Sequence, residues 1–148
     1  VPDSPSPPSP FPPLPDVYRA TTYQAATTVG FLKLRDGRHS PDLDRLLHAH
    51  GEITWAYLTA WNPGTERLSP GENAARQRQL LDLVGDLPTF TGNGAADFGN
   101  YSEESLLVLG INVEDARIIA QSFGQWAILA GLYGQPAHLI DCRPTPAP

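Results

Sequence analysis

Three side chains able to bind a polar group gather at one break in the chain. Asn62 ends the apolar run ITWAYLTAW, and Asn73 and Arg76 fall in the first turns of the helix that Ser69-Pro70-Gly71-Glu72 opens. Amides donate and accept, while a guanidinium offers a rigid fork of donors that matches a carboxylate or phosphate. Trp61 stands beside Asn62, and Glu104 and Gln125 follow later in the chain. Brought together, this set recognises a small polar ligand with an anionic group, such as a nucleotide, a sugar phosphate or an amino-acid-like molecule. Asn62, Asn73, Arg76, Gln125 and Trp61 are then the ligand-binding residues. Arg76 makes the bidentate contact, and Glu104 is the catalytic candidate, a general base for hydrolytic or transfer chemistry. The competing reading is structural: Asn62 caps its own turn, Arg76 and Glu104 pair as buried ions, and Asn73 and Gln125 tie loops by hydrogen bonds.

The elements needed to position these groups can be read from the same residues. Ile53 to Trp61 is a nearly continuous apolar strand, and open α/β sheets bind ligands at the carboxyl ends of such strands. Ser69 and Glu72 form a capping box worth about 1 kcal/mol, and the helix N-terminus adds free N–H groups and positive potential. The inward stripe of this helix, Asn73, Arg76 or Gln77, Leu80, Leu81 and Val84, is aliphatic at one end and polar at the other. Polar side chains that face a core need partners. Glu103 and Glu104 stand at the mouth of the buried strand EESLLVLG, and Gln125 follows the next helix. These strand starts share an edge with the end at Asn62 only if the two units run antiparallel to each other.

Along the rest of the chain, Val17 to Ala26 suits a short helix leading into an extended segment. Thr27 to Arg35 alternates as a strand, and Ser40-Pro41-Asp42 opens a helix ending at Gly51. Strand, helix and strand in that order predict a parallel, right-handed βαβ crossover. Leu87 to Ser102, rich in glycine and asparagine, reads as a loop preceded by a short strand near Thr89 to Thr91. Asn112 caps a helix whose Ala116, Ile119, Ala120 and Phe123 share one face. Gln125 to Gly131 and Ala137 to Cys142 form a hairpin. The expected fold class is α/β, with α+β as the alternative: a mixed sheet of about five strands flanked by three main helices.

Composition narrows the function classes. The formal net charge of −6 argues against broad electrostatic binding to nucleic acid or an anionic membrane. One cysteine, Cys142, permits no intrachain disulfide. No apolar run spans a bilayer, and the front of the chain has no secretory pattern, so the expected address is cytoplasmic. No His/Cys/Asp spacing suggests a metal, and no phosphate loop or nucleophile elbow implies a cofactor or acyl-transfer chemistry. The arginine bias and the abundance of Ala, Gly, Pro and Leu point to a bacterial source. Eight of the 16 prolines lie between Pro2 and Pro15. Residues 1–16 therefore read as a proline-rich, extended tail, 17–142 as one globular domain and 143–148 as a C-terminal tail. A non-enzymatic interaction module, presenting a sheet edge or the proline-rich tail to another protein, is the alternative function.

Three stretches carry a family resemblance: LTAWNPGTERLSPGENAAR (Leu58 to Arg76), YSEESLLVLGI (Tyr101 to Ile111) and QSFGQWAI (Gln121 to Ile128). With the looser YRATTY opening, the chain resembles the bacterial family catalogued as domain of unknown function 3293 over roughly residues 17–141. The resemblance implies those domain limits and points to the same polar residues. It implies no activity.

Overall fold

Proline and short polar side chains begin each helix where the sequence signals it. The computed structural model describes residues 14–64, 66–96 and 102–144, so most of the proline-rich segment and residues 145–148 lie outside the described residues. Helix α1 (Pro41–Ala49) is capped by Ser40, whose hydroxyl accepts the Leu43 N–H at 3.1 Å. Helix α2 (Pro70–Val84) carries the full capping box: Ser69 Oγ accepts from Glu72 N at 3.2 Å, and the Glu72 carboxylate accepts from Ser69 N at 3.3 Å. Helix α3 (Val113–Ser122) is capped by Asn112, which accepts the Asp115 N–H at 2.8 Å.

Among the described residues the fold is α+β, with three α-helices on a seven-stranded sheet rather than a sheet of about five strands. The strands are β1 (Thr21–Thr27), β2 (Gly30–Leu34), β3 (Thr54–Leu58), β4 (Thr89–Ala96), β5 (Ser102–Leu109), β6 (Ala127–Leu132) and β7 (His138–Asp141). Their order is β2-β1-β4-β5-β3-β6-β7, and every neighbouring pair is antiparallel. The expected mixed sheet with parallel βαβ pairing is thereby corrected. Alternation along the order makes β5 and β6, the strands flanking α3, point the same way, but β3 lies between them. Similarly, β5 separates β3 from β4. These two crossovers skip one strand each, while β2 and β3, the pair expected side by side across α1, are separated by β1, β4 and β5.

Two segments depart in part from the sequence reading. The short helix expected near Val17 is only a 3-10 turn (Asp16–Tyr18), and β1 follows it as the expected extended segment. The short strand expected near Thr89 to Thr91 continues as β4 into the segment read as a glycine-rich loop and pairs along both edges, with β1 and with β5. Its glycine content has a steric cause. A Cβ on Gly92 would stand 1.7 Å from the carbonyl oxygen of Gln24 on β1, so only glycine permits this backbone approach.

Helices cover both faces of the sheet. On one face α1 buries Leu43, Leu46 and Leu47 against Leu32, Leu34, Trp55 and Leu107. On the other, α2 and α3 pack Leu80, Val84, Ala116 and Ala120 against Ala56, Leu58, Leu106 and Val108. Adjacent residues of β5 thus serve opposite cores, as the period-two geometry of a strand requires. No helix of the described residues is long and apolar enough to cross a membrane.

Candidate functional site

The antiparallel order gathers three strand ends at one edge of the sheet. Because β5 and β6 run opposite to β3, the carboxyl end of β3 meets the starts of β5 and β6, with Leu58 opposite Leu106 and Tyr57 opposite Leu129. The loop after β3 turns at Asn62, whose φ of 43° is a left-handed conformation that asparagine adopts more readily than most residues. It then docks on the turn after α3, where Gly64 N–H donates to the Gly124 carbonyl at 2.9 Å.

Side-chain amides hold this loop. Asn73, 2% exposed, accepts the Asn62 N–H through Oδ1 at 2.9 Å. Its Nδ2 donates to Asn62 Oδ1 at 3.0 Å and to the Leu68 carbonyl at 3.4 Å. Asn62 Oδ1 also accepts the Leu68 N–H at 2.8 Å. Gln77 accepts the Ala60 N–H at 3.0 Å, and Gln125 Nε2 donates to the Trp61 carbonyl at 2.7 Å. Arg76 donates through Nε to the Ala60 carbonyl at 2.7 Å and through Nη2 to the Phe123 carbonyl, with its guanidinium 5.4 Å from the centre of the Phe123 ring. The arginine thus clamps the end of β3 to the end of α3. Two of its donors go to backbone oxygens.

In front of this network, on the α1 side of the sheet, opens a narrow pocket of about 40 Å³. That is room for roughly three water molecules at ~10–15 Å³ each. Its walls include Tyr18, Tyr23, Tyr57, Asn62, Glu103 and Gln125. Tyr23 and Tyr57 meet edge to face with ring centres 5.3 Å apart. Tyr57 donates its hydroxyl to the Gln24 carbonyl at 2.7 Å, and Tyr23 donates to the Tyr18 carbonyl at 3.0 Å. Burial, reinforced by the negative charge of Glu103, pushes the Tyr18 hydroxyl up to about 12. Burial likewise raises Tyr23 and Tyr57 above the ordinary tyrosine value. All three therefore stay protonated at neutral pH. Glu103 is only 6% exposed and is the sole charged side chain in the described wall.

The residues singled out from sequence divide among three places. Asn62 and Gln125 line the pocket, whereas Asn73 and Arg76 stand behind it in the loop network. Trp61 contributes its backbone to that network, and its indole Nε1 is buried without a hydrogen-bond partner among the described residues. Glu104 lies across the sheet, in a groove beside α2, while Glu103 takes the pocket position. Sequence reasoning places Glu103 at the strand mouth but chooses Glu104, and it passes over the three tyrosines. Strand parity is the signal that separates Glu103 from Glu104, because Glu103, Ser105, Leu107 and Leu109 share one face of β5.

Residues 58–128, from the end of β3 through the start of β6, match the family described as "Protein of unknown function (DUF3293)". The matched span contains the whole amide-arginine network together with Glu103, Glu104 and Gln125. No curated protein and no solved structure matches the chain.

Proposed function

The chain belongs to this family, whose description assigns no activity, and we propose that its pocket at the end of β3 binds the cationic head group of a small polar ligand. The observation that carries this reading is the wall itself. Three neutral tyrosine rings and one carboxylate line the space, and the cation whose charge reaches Tyr18, Arg143, stands outside the described lining with its guanidinium on Asp141. Aromatic faces and a carboxylate attract an ammonium group, and the attraction strengthens where water is excluded. Asn62 and Gln125 add hydrogen-bonding amides at the rim. An anionic ligand is the weaker choice, because the fork of Arg76 is turned to the Ala60 and Phe123 carbonyls. Volume points the same way: about 40 Å³ suits an ammonium or methylammonium group, whereas pockets for whole drug-sized ligands span about 300–1,000 Å³.

A thermal-shift comparison tests this reading. Ammonium and methylammonium should stabilise the protein, by about 2.7 kcal/mol at 100 times the dissociation constant, and acetate and phosphate should not. Glu103→Gln should abolish the response. Equal stabilisation by cations in wild type and Glu103→Gln, or none in either, would overturn it. The second reading, an interaction module, has one supporting observation: β2 is an edge strand with Phe31 59% exposed, a form that accepts an added strand. A Phe31→Lys variant that captures the same partners as wild type would remove that edge from consideration.

A further inference from the structure

Across the sheet from the tyrosine pocket, α2 covers β5 and leaves β4 open beside it. The step between helix and bare strand forms a groove of about 380 Å³, within the range of small-molecule sites. Its helical wall is Ala74, Gln77, Arg78 and Leu81, at the i, i+3, i+4 and i+7 spacing of one face, and its floor includes Thr91, Glu104 and Leu106. Thr91 of β4 and Leu106 of β5 are opposite each other in register.

Three polar groups of this groove have no side-chain partner among the described residues. Gln77 is 8% exposed and its Oε1 is used by Ala60, yet its Nε2 is a buried donor with no partner among the described residues. A buried polar group without a partner is destabilising. The Arg78 guanidinium and the Glu104 carboxylate both line the groove, and neither makes a side-chain hydrogen bond or ion pair among the described residues. Opposite charges are thus held on facing elements without neutralising each other, with Leu81 and Leu106 supplying apolar surface between helix and floor.

We propose that this groove is a second ligand site, one that takes an aliphatic α-amino acid as its zwitterion. The ligand carboxylate is met by Arg78, with the spare Gln77 donor beside it, and the ligand ammonium by Glu104 and the Thr91 hydroxyl. The hydrocarbon side chain lies on Leu81 and Leu106. This site is independent of the tyrosine pocket, since Glu103 and Glu104 point to opposite faces of β5.

Nuclear magnetic resonance titration with L-leucine tests the proposal, read at the amides of Ala74 to Leu81 and of Glu104 to Leu106. L-Leucine should shift those signals saturably. N-Acetyl-L-leucine, which lacks the ammonium, and L-leucinamide, which lacks the carboxylate, should each bind at least about tenfold more weakly, the minimum for loss of a charged hydrogen bond. In Glu104→Gln, leucine should weaken by the same factor, and N-acetylation should then cost almost nothing further. Arg78→Gln should do the same for the carboxylate. Both side chains are exposed, so these variants keep the fold. Absence of shifts at about 20 mM leucine, weaker than any ordinary small-molecule site, overturns the proposal. So does leucine binding that both variants leave unchanged.

Discussion

Replacing Arg76 with alanine should destabilise the protein by about 3–4 kcal/mol. The side chain donates to the carbonyls of Ala60 and Phe123 and stacks on the Phe123 ring. Hydrogen bonds from a charged donor contribute about 1.5–3 kcal/mol each, and a partly exposed cation–π contact about 0.5–1. Those gains do not add fully, because the side chain is half-buried and water can reach some of the released groups. In urea, with a slope of about 1.5 kcal/mol per molar, the midpoint should fall by about 2 M. Arg76→Lys should recover at most about a third, since a single ammonium cannot span two carbonyls with the geometry of a planar fork. Denaturation followed by tryptophan fluorescence is a suitable assay because Trp61 and Trp126 lie along the clamped loops. A midpoint shift below about 0.5 M for Arg76→Ala, under ~1 kcal/mol, would refute the clamp and return the guanidinium to the list of free binding groups.

Gly92→Ala should cost about 3 kcal/mol by overpacking, because its Cβ would overlap the Gln24 carbonyl and push β1 away from β4. A melting temperature within 2–3 °C of wild type, the width of a ~1 kcal/mol effect in a chain this size, would show that the strands separate without penalty. Raising the pH should unfold the protein from the tyrosine side. Tyr18, Tyr23 and Tyr57 have folded values above the ordinary 10, chiefly through burial. Their contribution is therefore complete below pH 10 and is lost as pH rises through 10 toward 12 and beyond, with Tyr57→Phe flattening the decline. Urea midpoints between pH 8 and 11 read this directly, and a flat profile would contradict it. The Cys142 thiol is buried, donates to the Ile140 carbonyl at 3.4 Å and is pushed up to about 12 by burial and by Asp141. It should react with a disulfide reagent at pH 8 at least about 100-fold more slowly than in urea-unfolded protein. Full labelling of native protein within minutes would show the thiol to be accessible.

Helix boundaries were legible because their signals are local: Ser40, Ser69 and Asn112 each bond an N–H within three residues. The partners of a strand are not local. Beyond Thr91, β4 reads as a loop because glycine is there to admit the β1 backbone, a need visible only once β1 is alongside. The order of strands was equally hidden, since β5, α3 and β6 have the sequence rhythm of a parallel crossover whether or not β3 intervenes. At the site, the polar end of the α2 stripe correctly indicated that Asn73 and Arg76 have partners in the loop. Choosing between Glu103 and Glu104 required knowing which face of β5 meets the tyrosines. With leucine and valine on both faces, that strand carries no amphipathic mark.

The double pairing of β4 also bears on how the chain folds. The turn after β2 bonds the start of β7 through Asp36, Gly37 and Arg38, while within the sheet the β1–β2 hairpin pairs only with β4, in a register that sets Thr21 opposite Ala96. That contact closes a long loop, so its entropy must be met late, after β4 has a partner in β5. The amides of β1 and β2 should accordingly exchange with solvent as one cooperative unit, at a lower opening free energy than those of β3 and β5. A hairpin that is early in the sequence would then be the last to join the sheet.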